Sequence, residues 1–141
     1  MASVENVRVE TVIDRPADVV WARIRDFGEV SWIPNTESVD LDGDVRTVTM
    51  TGGKFKVSQR ETAHDDANRS YSYEMAEPID LSALFGKPTV LEHLRATLSV
   101  TPKDDSTSVA SYDLETHDFM LAGTSAEYQG ALDNLKALLE A

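Results

Sequence analysis

Polar side chains that could bind a ligand or move a proton fall on strand faces that otherwise carry apolar residues. Glu61 and Tyr73 fall on inward faces of two predicted strands, where a carboxyl or a phenol can act as a general acid or base. Gln59 and Ser111 fall on inward faces as well and offer hydrogen bonds. Because buried polar groups without partners are destabilising, this mixture predicts water or a ligand in the interior rather than a solid core.

Metal and cofactor motifs are missing from the sequence. No two of the histidines His64, His93 and His117 have the spacing of a helical His-x-x-x-His pair. The absence of cysteine excludes disulfides, thiolate metal ligands and a cysteine nucleophile. Gly52-Gly53 indicates a hairpin turn rather than a phosphate-binding loop, and no serine lies in a nucleophile elbow. We therefore expect neither a metal nor a cofactor.

Charge and length limit the partners of the chain. Its 141 residues include 13 Lys and Arg against 25 Asp and Glu, a net charge of −12 that argues against nucleic acid. No apolar run reaches the ~18–20 residues that would span a membrane, and the first ten residues, 1–10, do not resemble a secretory signal. We expect a cytoplasmic protein with one domain over residues 1–141. Whether it forms a homodimer stays open.

The elements that would position these side chains follow from the spacing of apolar residues. Residues 4–13 alternate with period two, which predicts a strand. Pro16 suits the first turn of a following helix, and Gly28 suits the position after its last turn. Residues 29–33 predict a second short helix that ends before Pro34. The chain therefore begins with a strand and two short helices.

Alternating runs separated by short turns predict the remaining strands. After a short run from Glu37, they are Val45–Thr51, Phe55–His64, Arg69–Glu77, Val90–Thr101 and Thr107–His117. Turns this short join antiparallel neighbours. About seven strands therefore form one antiparallel sheet, and their accumulated twist must curl it.

The C-terminal segment has the spacing of an amphipathic helix. Its apolar stripe consists of Tyr128, Leu132, Leu135 and Leu139. Thr124 and Glu127 have the spacing of a capping box, which predicts the start of the helix. Gly130 inside the helix predicts a close approach of another element, since glycine otherwise weakens a helix. The fold class is therefore α+β, with a curved antiparallel sheet around one long helix.

The segment Glu77–Thr89 is too long for a hairpin and too apolar for a disordered linker. It carries Leu84 and Phe85 between two prolines. We interpret it first as a lid over an interior pocket. A dimer surface and an extension of the core are the alternatives.

Seven segments, in their order and spacing, carry a resemblance to a known superfamily. They are Ile13–Trp21, Arg25–Gly28, Trp32–Pro34, Val45–Met50 followed by Gly52-Gly53, Asp65–Tyr73, Val100–Pro102 and Gly130–Lys136. They resemble the START-like or Bet v 1-like (helix-grip, SRPBCC) superfamily, in particular its bacterial polyketide cyclase/dehydrase and lipid-transport branch. The resemblance covers essentially the whole chain.

The resemblance implies a deep pocket between the sheet and the C-terminal helix. Its occupant would be a hydrophobic or amphipathic small molecule of lipid or polyketide type, and Trp32 would lie at the rim. We expect the ligand contacts to come from Trp32, Phe55, Val57, Gln59, Tyr73, Met75, Leu84, Phe85, Leu98, Ser111, Tyr128 and Leu132.

The last predicted strand has two alternative registers. The family register turns Ser111 and Asp113 toward the pocket, where burial would raise the pKa of the Asp113 carboxyl. The apolar residues Tyr112 and Leu114 favour the opposite register, which leaves Asp113 on the solvated face.

Departures from the family pattern favour binding over catalysis. Relatives often carry Glu where Gln59 stands, and an aromatic residue where Leu94 and Ser111 stand. The first alternative is a cofactor-free polyketide cyclase, aromatase or dehydratase, in which Glu61, Tyr73 or Asp113 supplies the acid or base. The second alternative is a stress-response or interaction module that uses the acidic surface.

Overall fold

The computed structural model describes residues 3–53 and 55–141. In chain order, the elements are β1 (Val4–Ile13), α1 (Ala17–Ile24), β2 (Thr36–Asp42), β3 (Val45–Met50), β4 (Lys56–Asp65), β5 (Ser70–Met75), β6 (Ile79–Asp80), α2 (Ser82–Phe85), β7 (Val90–Leu91), β8 (Leu94–Pro102), β9 (Ser108–His117) and α3 (Leu121–Glu140), which follows a 3-10 turn at Asp118–Met120.

One antiparallel sheet of seven strands forms the main layer. The strand order is β1-β9-β8-β5-β4-β3-β2, while β6 and β7 form a separate two-stranded ribbon. β1 and β9 pair over their full length, from Val4 opposite His117 to Ile13 opposite Ser108. Gly52 and Gly53 make the predicted turn after β3 with φ angles of 95° and 72°, which glycine adopts without strain. The α+β helix-grip architecture is confirmed.

The packed core lies toward one end of the sheet. Along β8, Leu98 and Val100 are buried in this core, together with Ile24 of α1 and Leu132 and Leu135 of α3. The C-terminal half of α3 therefore anchors the helix to the sheet. None of the helices in the described part of the chain combines the length and the hydropathy needed to cross a membrane.

Residues 29–33 form single turns where the sequence predicts a second helix. Glu29 N–H donates to the carbonyl of Asp26 at 3.0 Å, and Ile33 N–H donates to that of Val30 at 2.9 Å. The Glu29 carboxylate accepts a hydrogen bond from Ser31 N–H, which competes with helical hydrogen bonding. Pro34 disfavours helical geometry at Ile33. α1 itself ends at Ile24, so Gly28 is not its C-terminal cap.

Two other predicted boundaries are wrong. The predicted strand Val90–Thr101 is divided, because Val90–Leu91 pair with β6 while β8 begins at Leu94. The capping box at Thr124 is not formed, because the 3-10 turn extends α3 back to Leu121 and Met120 takes the N-cap position without a side-chain bond. Thr124 is instead buried inside the helix.

A β-bulge in β4 brings His64 onto the inward face of the sheet. The pairing with β5 shifts between Glu61 and Ala63, and His64 lies opposite Tyr71, with their rings stacked at 6.1 Å. His64 Nδ1 lies 3.1 Å from Glu61 Oε2, and His64 Nε2 lies 3.1 Å from Asp66 Oδ1. Asp66 also accepts a hydrogen bond of 2.9 Å from Trp21 Nε1, which ties α1 to the end of β4.

We expect the pKa of His64 to lie above its ordinary value of 6.5. Partial burial lowers this pKa, but the hydrogen bonds and the charges of Glu61 and Asp66 outweigh burial. A raised pKa means that the protonated ring stabilises the fold below pH 6.5, and that this stabilisation is lost as the pH rises through the folded-state pKa.

An NMR titration of the His64 Cε1–H signal measures this pKa, and His64→Gln identifies the signal by removing it. The free energy of unfolding is expected to fall as the pH rises above 6.5 and through the folded-state pKa of His64. This fall in stability should be smaller in His64→Gln than in the wild type. A midpoint at or below 6.5 would contradict the expectation.

Candidate ligand-binding cavity

A cavity of about 550 Å³ separates the N-terminal half of α3 from the sheet. On β8, Leu94 lines the cavity, whereas Leu98 and Val100, further along the strand, lie in the packed core. Its lining residues are Ile33, Pro34, Asn35, Thr36, Arg46, Val48, Met50, Phe55, Val57, Gln59, Tyr73, Ile79, Leu81, Leu84, Leu91, Leu94, Tyr112, Met120, Thr124, Ala126, Glu127, Tyr128, Gly130 and Ala131. Most of these side chains are apolar, so the cavity favours an apolar occupant.

Arg46 is buried in the wall of the cavity, with 1% of its surface exposed. Its Nε donates to Gln59 Oε1 at 2.7 Å, and its Nη1 donates to the carbonyl of Phe27 at 2.9 Å. The guanidinium carbon lies 4.1 Å from the ring centre of Phe27 and 4.8 Å from that of Tyr73. Two neutral oxygens and two aromatic faces therefore surround this charge.

Three tyrosines form a connected group on the cavity wall. The hydroxyls of Tyr73 and Tyr128 lie 2.7 Å apart and share a hydrogen bond. The Tyr112 ring contacts Tyr128 edge to face, with centres 4.7 Å apart. Burial raises the pKa of Tyr73 and of Tyr128 above the ordinary 10, so both phenols stay protonated near neutral pH. The pair thus links β5 to α3 across the cavity.

Glu127 is the carboxyl group on this wall. Its side chain is accessible from the open cavity, but the surrounding protein limits its hydration and raises its pKa above the ordinary 4.5. None of the hydrogen bonds between described residues uses its carboxylate oxygens. A carboxyl with a raised pKa is suited to general acid or base chemistry.

Six of the side chains expected to contact a ligand line this cavity: Phe55, Val57, Gln59, Tyr73, Leu84 and Tyr128. The sequence reasoning missed Arg46, Tyr112 and Glu127. Strand alternation could have revealed Arg46, because it shares a face of β3 with the apolar residues Val48 and Met50.

Five other expected contacts lie outside the cavity lining. Trp32, Leu98 and Leu132 are fully buried, because they fill the core between the two layers. Met75 packs against that core, and Phe85 turns to Phe119, with ring centres 6.1 Å apart. Alternation and helical spacing identify an inward face, but they do not separate core positions from cavity positions.

The register of β9 places the expected polar residues on the opposite face. Tyr112 and Leu114 point inward and are almost completely buried. The Ser111 hydroxyl instead bonds that of Ser99 at 2.9 Å, and Asp113 pairs with Arg8 at 2.8 Å on the exposed face. Burial of the larger apolar pair decides the register, so the expectation that Ser111 and Asp113 face the pocket is wrong.

Among the expected acids and bases, only Tyr73 lines the cavity. Glu61 lies beyond the cavity lining, where it contacts His64, and Asp113 is on the far side of the sheet. An acid or base for the cavity would therefore come from Tyr73, Tyr128 or Glu127.

The segment Glu77–Thr89 forms part of the cavity wall. β6 pairs with β7, and α2 connects them, so Ile79, Leu81 and Leu84 come to line the cavity. The expected close approach at Gly130 is wrong: a Cβ built on this residue would meet no atom within 4 Å, because Gly130 faces the cavity.

Comparisons with known proteins agree with this architecture. Residues 4–140 match the model of the family described as polyketide cyclase / dehydrase and lipid transport. The protein XoxI from Bacillus cereus aligns with a TM-score of 0.80 at 20% identity over 100% of this chain and 99% of that chain. No protein of curated function matches the sequence.

Two solved structures whose names state an activity are also similar. Truncated norcoclaurine synthase from Thalictrum flavum aligns with a TM-score of 0.74 at 16% identity, over 98% of this chain and 94% of that chain. The di-domain ARO/CYC BexL from the BE-7585A biosynthetic pathway aligns with a TM-score of 0.75 at 16% identity, over 96% of this chain and 46% of that chain. At these identities the likeness shows the fold alone. Because the family model covers residues 4–140, the chain belongs to the polyketide cyclase/dehydrase and lipid-transport family of the START-like, Bet v 1-like superfamily.

Proposed function

We propose that the protein binds a hydrophobic or amphipathic small molecule, of lipid or polyketide type, in the cavity between the sheet and α3. The observation that carries this proposal is the volume of about 550 Å³ within apolar walls. Ligand pockets commonly measure about 300–1,000 Å³ and combine apolar walls with a few polar groups. Residues 1–141 would act as one ligand-binding domain, of which Met1 and Ala2 lie outside the described residues.

The distribution of side chains on α3 supports this proposal. Leu132 and Leu135 hold the C-terminal half of the helix against the sheet, whereas Ala126 and Gly130 face open space. Small residues at these two positions leave room between the layers. Larger side chains there would have filled the interior and stabilised the protein, so their absence favours an occupant other than the protein itself.

Two measurements test the proposal. Small molecules released by denaturing the purified protein are identified by mass spectrometry, and the neutral fluorescent probe N-phenyl-1-naphthylamine is titrated into ligand-depleted protein. We expect a co-purifying apolar compound, or saturable probe binding with a micromolar Kd. No released compound together with no saturable probe fluorescence would contradict the proposal.

Catalysis is the second candidate function, and Glu127 is the observation that favours it. Its raised pKa and its position next to Tyr128 provide an acid near the Tyr73–Tyr128 pair. A cofactor-free cyclase or dehydratase needs such a group to transfer protons to and from a polyketide-like substrate. Under this function, Glu127→Gln lowers turnover about 100-fold or more and preserves probe binding. Equal turnover by the wild type and Glu127→Gln would exclude this role for Glu127.

A further inference from the structure

Arg46 carries a buried positive charge that no carboxylate balances among the described residues. Its acceptors, Gln59 Oε1 and the carbonyl of Phe27, are neutral. None of the salt bridges between described residues includes Arg46, and Glu127 on the same cavity wall forms no ion pair with it. A buried charge without a counter-ion is costly, so this part of the cavity wall attracts an anion.

The hydrogen bond from Arg46 fixes the orientation of the Gln59 amide. A guanidinium only donates hydrogen bonds, so the amide oxygen must face Arg46 and the amide nitrogen must face away from it. Gln59 lines the cavity, and none of the hydrogen bonds between described residues uses its Nε2. The two N–H groups of Gln59 are therefore donors without an acceptor, next to a positive charge.

We propose that Gln59 Nε2, supported by the charge of Arg46, binds the carboxylate end of an otherwise apolar ligand. This inference rests on the proposed function, since it assigns an orientation and a chemical class to the occupant of the same cavity. A carboxylate oxygen accepts a hydrogen bond from the Gln59 amide, and its negative charge compensates the positive charge of Arg46. A neutral carbonyl or hydroxyl can accept the hydrogen bond but cannot compensate the charge. The apolar remainder of the ligand lies along Val48, Val57 and Leu94.

The charge of the wall favours a monoanion over a phosphate. Among the described residues that line the cavity, Arg46 is the one with a positive charge, and Glu127 is acidic. A phosphate dianion would leave one negative charge uncompensated in an apolar site, whereas a carboxylate matches the single guanidinium. The ligand class is therefore a long-chain or polycyclic carboxylic acid.

Gln59→Glu tests the inference, because it replaces the amide donor with an acceptor of the same shape and supplies Arg46 with a counter-ion. The affinities of the wild-type protein and the variant for dodecanoate, dodecan-1-ol and dodecylamine are measured by displacement of N-phenyl-1-naphthylamine near pH 7.5. The wild type is expected to bind dodecanoate at least about tenfold tighter than the alcohol, a difference of about 1.4 kcal/mol. Gln59→Glu is expected to remove this preference, because the new carboxylate pairs with Arg46 and repels the carboxylate of dodecanoate.

Ala63→Glu is the matched control, since it adds the same charge to an exposed position of β4 and should leave all the affinities unchanged. If Gln59→Glu does not fold by circular dichroism, Gln59→Met removes the donor without adding charge and should still lower the preference for dodecanoate. Failure of the probe to bind the wild type, together with the absence of a co-purifying compound, would overturn the proposed function. Two outcomes would overturn the carboxylate inference alone. In the first, the wild type binds the probe and the alcohol but shows no preference for dodecanoate. In the second, Gln59→Glu loses affinity for all three compounds equally.

Discussion

Gly130→Phe is expected to block the cavity and to weaken binding of N-phenyl-1-naphthylamine by at least about tenfold, or about 1.4 kcal/mol. A Cβ at residue 130 meets no atom within 4 Å, and Gly130 lines the cavity, so the ring would extend into the space that the probe needs. Gly130 lies inside α3, where glycine is unfavourable by about 1 kcal/mol relative to alanine. The variant should therefore fold at least as stably as the wild type.

Gly123→Phe is the matched control for this substitution. Gly123 lies in the same helix, and a Cβ built there also meets no atom within 4 Å, but it is not among the residues lining the cavity. We expect its affinity for the probe to equal that of the wild type. Fluorescence titration gives both affinities, and thermal unfolding compares their stability. Unchanged probe binding by a folded Gly130→Phe protein would show that the probe does not occupy this cavity.

Leu132→Ala is expected to lower the free energy of unfolding by about 3 kcal/mol. Leu132 has no exposed surface, and it packs in the core that holds the C-terminal half of α3 against the sheet. Truncation removes buried methyl groups and leaves a void, and both effects destabilise the folded state. Since Leu132 lies in the core rather than in the cavity lining, affinity for the probe should stay within about threefold of the wild type.

Leu138→Ala provides the comparison on the same helix, because 47% of the Leu138 surface is exposed. Its free energy of unfolding should change by less than about 0.5 kcal/mol. Urea denaturation measures both variants. Equal stability of the two variants, or a loss of probe affinity in Leu132→Ala without destabilisation, would contradict the assignment of Leu132 to the core.

The strands in which successive residues alternate between polar and apolar were predicted most completely from the sequence. Tyr71 and Tyr73 on β5 are buried, as their spacing predicts, and so are Leu98 and Val100 on β8. Each such face is determined by residues two apart, so no knowledge of distant contacts is needed. The boundaries were less well predicted, because the division at Leu94 and the extension of α3 to Leu121 depend on pairing with other segments.

The site depended on contacts that local patterns do not contain. A shift of one residue exchanges the two faces of a strand, so the polar Ser111 and the apolar Tyr112 could not both point inward. Alternation places Arg46 on the inward face of β3, but its neutral partners, the carbonyl of Phe27 and Gln59 Oε1, lie on other segments and are not part of a local pattern.

The amino-acid sequence by itself determined the α+β architecture, the antiparallel strands and the long C-terminal helix, because periods of two and of 3.6 residues are local properties. Only the tertiary structure decided which inward residues pack against one another and which border empty space. That distinction depends on the separation between α3 and the sheet, which is small at Leu132 and large at Gly130. Helical spacing specifies the direction of a side chain, but the distance to the opposite layer is set by all the packed side chains together.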